Sequence, residues 1–204
     1  MTEPDTLPVY SIGHSTHSLD RLVELLSEHG VSAVADVRST PYSRWQPHFN
    51  RESLRGSLAG HGIAYVFLGV ELGGRGADES VRDAYGRTLY RKIAKTASFR
   101  GGMRRVREGS RRMRLALLCV ESDPLECHRG ILVSRAIAAD GGTVQHIHAD
   151  GHVESHRDAE QRLLRLTMPQ EWDLMRTPEQ IIADAYDLQG SRIAYVMTSA
   201  SAGG

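Results

Sequence analysis

Cysteine is scarce in this chain: two of 204 residues, Cys119 and Cys127. Two thiols cannot build the disulfide framework of a small secreted scaffold. No stretch reaches the ~18 consecutive apolar residues of a membrane helix. Residues 1–8 lack the basic-then-apolar pattern of a secretory signal. A cytoplasmic protein with free thiols and no membrane partner is the expectation. Aromatic residues are few, 6% against 40% hydrophobic overall, so the core must be mainly aliphatic. Net charge is absent, because 25 Lys and Arg balance 25 Asp and Glu. That excludes whole-molecule steering of nucleic acid and leaves only local clusters to meet a polyanion.

What is present is an alternation of short apolar runs with amphipathic segments. Residues 9–12 form a first strand ending at Gly13-His14-Ser15. Leu19, Leu22, Val23 and Leu26 then recur at helical spacing, with Ser18 as cap and Gly30 as stop. Residues 31–35 and 63–68 read as strands, and residues 51–59 as the helix between them. Residues 79–97 read as one helix and 99–108 as another. Residues 115–119 are the most apolar run and must be a central strand buried on both faces. A helix over 130–139, a strand over 143–148 and a helix over 157–166 complete the pattern. Such alternation predicts an α/β fold: a mostly parallel sheet in a three-layer sandwich, or alternatively part of a (β/α) barrel. Residues 1–168 form a single domain on this reading. Residues 169–204 are a C-terminal extension that begins at the Met168-Pro169 break and ends in a disordered tail.

The unusual motifs fall just after strands, where ligands bind in open α/β sheets. Asp36, Glu121 and Cys127 are the candidate catalytic residues. His14, Ser15, Arg38, Gly73, Gly74, His128 and Arg129 are the candidate ligand-binding residues. Four blocks carry a resemblance: Gly13-His14-Ser15; Asp36-Val37-Arg38-x-x-Pro41-x-Ser43; Leu72-Gly73-Gly74; and Cys119-x-Glu121-x-x-Pro124-x-x-Cys127-His128-Arg129. In this order, over residues 9–150, they resemble the family called domain of unknown function 488. The resemblance implies a bacterial or archaeal α/β domain whose motifs form one site. It carries no settled activity.

The chemistry expected of these residues follows from their types. A helix starting near Gly130 presents free N–H groups and a partial positive charge. Arg129 adds a planar donor suited to phosphate or carboxylate, and the same field favours a Cys127 thiolate. The phosphatase spacing of a cysteine followed five residues later by arginine is absent. Asp36 and Glu121 either move protons or pair with Arg38 and Arg129. The turn at Gly73-Gly74-Arg75-Gly76 is a phosphate cradle or a flexible turn, without the Lys-Ser/Thr of a Walker loop. Cys119, Cys127, His128, His14, His146 and His148 are all chemically fit as metal ligands, yet no Cys-x-x-Cys or His-Glu-x-x-His pattern is present. Neither a metal nor an organic cofactor is therefore expected. Seven arginines between Arg100 and Arg114, and the loop aromatics Tyr42, Trp45 and Phe49, suit a nucleic-acid backbone and its bases, or else a solvated helix face. The functional expectation is a site for an anionic, phosphate-bearing ligand: a nucleotide, nucleoside or nucleic acid, with or without catalysis. The alternatives are a non-catalytic ligand-sensing module and a thiol- or metal-dependent enzyme using Cys127.

Overall fold

The apolar run at residues 115–119 does lie at the middle of the sheet. The computed structural model describes residues 7–76, 78–167 and 176–197. Its strands are β1 (Val9–Gly13), β2 (Ala33–Asp36), β3 (Ala64–Phe67), β4 (Leu115–Cys119), β5 (Val144–Ile147) and β6 (Val153–Ser155). They lie in the order β3-β2-β4-β1-β5-β6. The first five are parallel and β6 is antiparallel to β5. All five residues of β4 are buried, as a strand covered on both faces requires.

Alternation along the strands divides the core into two layers. Ala116 and Leu118 face α1 (Leu19–Glu28) and α2 (Arg51–Gly60), packing with Ile12, Val34, Leu22, Leu26, Leu54 and Leu58. Leu115, Leu117 and Cys119 face the other way, onto Phe99 and Val106 of α5 (Ala97–Ser110) and onto Leu132 and Val133. The helix caps expected locally are made: the Ser18 side chain accepts from Arg21 N–H. This is the three-layer α/β sandwich, and the sheet is open, so the partial barrel does not apply.

The connection from β1 leads to α1 on one face of the sheet, while that from β4 leads to Leu132, Val133 and Ile137 on the other, and β1 and β4 are neighbours. Connections that diverge from adjacent parallel strands leave a crevice over their carboxyl ends. Gly13, Asp36 and Cys119 end the three strands around it.

Three expectations need correction. Residues 79–97 are not one helix. The described part holds a 3₁₀ turn at Glu79–Val81, a bridge between Arg82 and Thr88, and the short α4 (Tyr90–Ile93), which follows α3 (Gly69–Leu72). The Asp83 side chain accepts from the Tyr85 and Arg87 N–H groups, and Gly86 sits at φ 76°. Local side-chain capture of the backbone outcompetes the helix there. The segment after Cys127 is a π-helical turn over Arg129–Ser134 before it becomes α6 (Arg135–Ala139). Strand β6 was not foreseen. After α7 (His156–Thr167), the C-terminal extension supplies α8 (Pro178–Ile193), opened by a Thr177–Gln180 capping box. Its Ala185 and Tyr186 pack on Leu163, Ala159, Leu125 and Ile131. The expected break at Met168-Pro169 and the expected disordered tail lie outside the described residues. No helix among the described residues is long and apolar enough to cross a membrane.

Candidate functional site

One wall of the crevice is made of sulfur and imidazole. Cys119 ends β4, and its sulfur lies 3.8 Å from His128 Nδ1. Cys127 Sγ lies 3.8 Å from the same nitrogen and accepts the Arg129 N–H at 3.4 Å. All three ligand-type atoms are within 4.8 Å of one another. Among the described residues, this is the one such group of three. His128 Nε2 donates to the Val37 carbonyl at 2.9 Å, which leaves Nδ1 to face the sulfurs. The other side of the imidazole is walled by Gly74, where a Cβ would come within 2.7 Å of the ring.

The electrostatics of the cluster follow from its crowding. Burial pushes the Cys127 thiol up, but the hydrogen bond from Cys119 and the charges of Arg129 and His128 outweigh it and hold Cys127 well below the usual thiol range. Cys119 is held well above that range, by its bond to Cys127 and then by burial. Burial alone would lower His128, yet the Cys127 sulfur leaves it raised. Burial and the neighbouring Cys127 hold the Glu121 carboxyl above the usual carboxylate range.

The other wall is a closed ionic knot. Asp36 is fully buried, and its Oδ1 accepts from Arg38 Nε at 2.9 Å and from the Arg38 N–H at 3.1 Å. Its Oδ2 accepts from Arg38 Nη2 at 2.6 Å and from the Tyr65 hydroxyl at 2.7 Å. Arg38 Nη1 lies 3.3 Å from His14 Nε2. Burial, and then the Arg38 charge, lowers His14 to about 4, so its imidazole is neutral. Phe49 stacks on that ring at 4.2 Å between centroids. Phe49 is thus core and not a free stacking platform, whereas Trp45 is exposed. Ser15 holds a left-handed φ of 45°, its N–H donating to the Val120 carbonyl at 2.7 Å.

Arg129 is not a surface donor. It is wholly buried, and its guanidinium donates to the Glu121 and Ser122 carbonyls at 2.5 and 2.8 Å. It braces the loop that carries Glu121 from beneath. The two glycines serve close approach: a Cβ on Gly73 would collide with the Gly69 carbonyl, and Ser39 Oγ accepts the Arg75 N–H. The Gly73 N–H is taken by the Gly69 carbonyl at 3.1 Å.

The structure therefore brings Asp36, Arg38 and His14 together on one side, and Glu121, Cys127, His128 and Gly74 on the other. His146 and His148 stand apart from it. His146 Nδ1 is 2.7 Å from Ser11 Oγ and its Nε2 is 3.0 Å from His156 Nδ1. His156 Nε2 is 2.9 Å from the Tyr186 hydroxyl, which donates to Glu160. His148 pairs with Glu154. Sequence reasoning placed Cys119 in the sheet interior and missed its part in the sulfur pair. The signal was there: as the last residue of β4 it faces the layer from which Cys127 arrives. Tyr65 and the Val37 carbonyl carried no sequence signal.

Together these features make a doubly wound α/β protein with a buried thiol–imidazole cluster at its switch point. The family described as domain of unknown function DUF488 matches residues 18–136, more than half of the chain, and the chain belongs to that family. No curated protein and no solved structure matches it.

Proposed function

We propose that the crevice is the reaction centre of an enzyme, with Cys119, Cys127 and His128 carrying the chemistry and Glu121 as the acid–base group. The observation behind this reading is convergence. Three chemically potent side chains from two chain segments meet within 4.8 Å at the switch point, on the loop that carries Glu121. An anion sensor needs donors that face outwards, and here Arg38 and Arg129 are committed to Asp36 and to backbone carbonyls. The depression beside Glu121, about 440 Å³, is lined by Glu121, Asp123 and Glu126 with Ser15, Gln46 and Ser122, and by no cation. Glu121 and Glu126 on that surface, with Asp123 already paired to Arg162, suit a neutral or cationic small molecule better than a phosphate. The test is a thermal-shift screen of nucleosides, amides and amines against nucleotides and inorganic phosphate, with hits assayed for turnover by wild type and Cys127→Ala. Turnover of an uncharged or cationic compound that Cys127→Ala abolishes is expected. Turnover indifferent to Cys127, or none on any hit, would sink the reading.

A second reading belongs to a different surface. A groove of about 580 Å³ between α4, α5 and α6 is rimmed by Arg91, Lys95, Arg100, Arg104, Arg107 and Arg135 against the single acid Asp140. Six cations on one groove of a chain with zero net charge suit a polyanion such as single-stranded nucleic acid. Oligonucleotide binding that falls steeply with salt and weakens in Arg104→Glu supports it; no binding at low salt removes it.

A further inference from the structure

We infer that Cys119, Cys127 and His128 bind one divalent transition-metal ion of the zinc type. The inference rests on the crevice being the functional centre, and it names the cofactor of that centre. The donor set comes first. Two sulfurs and one imidazole nitrogen are borderline-soft ligands that select zinc and its cobalt surrogate over magnesium or calcium.

Distance is the second argument. With Zn–S near 2.3 Å and Zn–N near 2.0–2.1 Å, tetrahedral ligand atoms stand roughly 3.5–3.8 Å apart. His128 Nδ1 lies 3.8 Å from each sulfur. For hydrogen bonds those separations are loose, and one Nδ1 cannot serve two sulfurs along a single lone-pair axis. As two edges of a coordination tetrahedron, they are close to the required length.

Support from the surroundings is the third. A ligating histidine commonly donates its other ring N–H to a carbonyl or carboxylate, which fixes tautomer and orientation. His128 does so to Val37, just beyond β2, at 2.9 Å. Gly74 lets that ring lie where a Cβ would collide with it. Cys127 Sγ takes the Arg129 N–H, an outer contact suited to a thiolate ligand. Three protein ligands with a fourth position free is the pattern of catalytic rather than structural zinc. Glu121 lies two residues beyond Cys119, on the loop that Arg129 braces, and would supply a carboxylate to water held by such an ion.

The experiment uses the whole protein, purified under a phosphine reductant so that both thiols stay reduced. Metal content is measured as isolated, after chelation, and after reloading with Zn²⁺ or Co²⁺. One ion per chain is expected. The cobalt form should show sulfur-to-metal charge transfer and the intense visible bands of a tetrahedral site. Cys119→Ser, Cys127→Ser and His128→Ala should each weaken Zn²⁺ binding by at least about 100-fold. Gly74→Ala should weaken it about 10–100-fold through the displaced ring, and Glu121→Gln by less than about 10-fold. Should a ligand variant misfold, wild-type protein still decides the matter, since bound Zn²⁺ must protect Cys119 and Cys127 from alkylation. Failure of folded wild-type protein to take up either ion, or a cobalt spectrum without sulfur ligation, would overturn the inference. Cys127-dependent turnover in a metal-free protein would leave the reaction centre standing and remove the metal. A stoichiometric tetrahedral ion without turnover of any substrate would do the reverse.

Discussion

Two of the buried polar clusters among the described residues differ in how tightly they close, the histidine chain and the sulfur cluster. In the chain from Ser11 through His146, His156 and Tyr186 to Glu160, every link is 2.7–3.0 Å. Its proton count also closes. The Tyr186 hydroxyl donates to Glu160, so its oxygen accepts from His156 Nε2–H. His156 Nδ1 then accepts from His146 Nε2–H, and His146 Nδ1 accepts from the Ser11 hydroxyl. One proton occupies each link and both imidazoles are neutral. Burial holds both below their usual range, joined for His146 by its neighbours His156 and Arg129. In the crevice the sulfur contacts are 3.8 Å and converge on one nitrogen. A polar cluster that satisfies itself serves the fold. One that is equally buried but held open has room for a further atom.

Arg129 tests the boundary between the two, and its loss should be the largest effect. Arg129→Ala leaves the Glu121 and Ser122 carbonyls without their donors and opens a cavity under the loop. The cost should be about 3–5 kcal/mol, a fall in Tm of roughly 10 °C by calorimetry. An Arg129→Ala protein with wild-type Tm but lost ligand binding would move this residue from the scaffold to the site. Breaking the closed chain comes next. Tyr186→Phe strands His156 Nε2 and Glu160 Oε1, and should cost about 1–3 kcal/mol in denaturant unfolding while leaving metal uptake unchanged.

Acid should act on the same chain. Both imidazoles are lowered in the folded protein, while in the unfolded chain they titrate near 6.5. Above that pH the pair contributes no pH dependence. As pH falls below it, the unfolded state takes up protons first. Stability should then drop by up to about 1.4 kcal/mol per pH unit for each histidine. A His156→Gln variant whose stability falls as steeply between pH 6.5 and 5 would show that the sensitivity lies elsewhere. The smallest effect is expected in the open cluster. In metal-stripped protein, Cys127→Ser should change stability by about 1 kcal/mol or less, because no saturated network is broken. A larger loss would mean that the sulfurs are structural.

Much of the architecture was legible in the order of the residues. Short apolar runs marked five of the six strands, and amphipathic spacing marked the helices that cover them. Residues 79–97 misled because Asp83 and Gly86 hold a turn inside a helix-like pattern. At the site, the motifs were correctly referred to one rim, but their pairings were not readable. Asp36 with Arg38 was foreseeable from two-residue spacing; the direction of Arg129 was not.

Local pattern was enough for the parallel sheet and for the arrival of each motif at a strand's carboxyl end. Hydrophobic period and turn residues act over a few neighbours, and those neighbours are written in order along the chain. Long-range packing alone made Cys119 and Cys127 share the nitrogen of His128, set Val37 to hold that ring and Gly74 to make room for it, and turned Arg129 inwards. Each of these depends on β2 pairing with β4 and on a loop folding back over its own strand. A polar side chain takes its role from whichever partner such pairing places within about 3–4 Å, and local pattern carries no record of that partner.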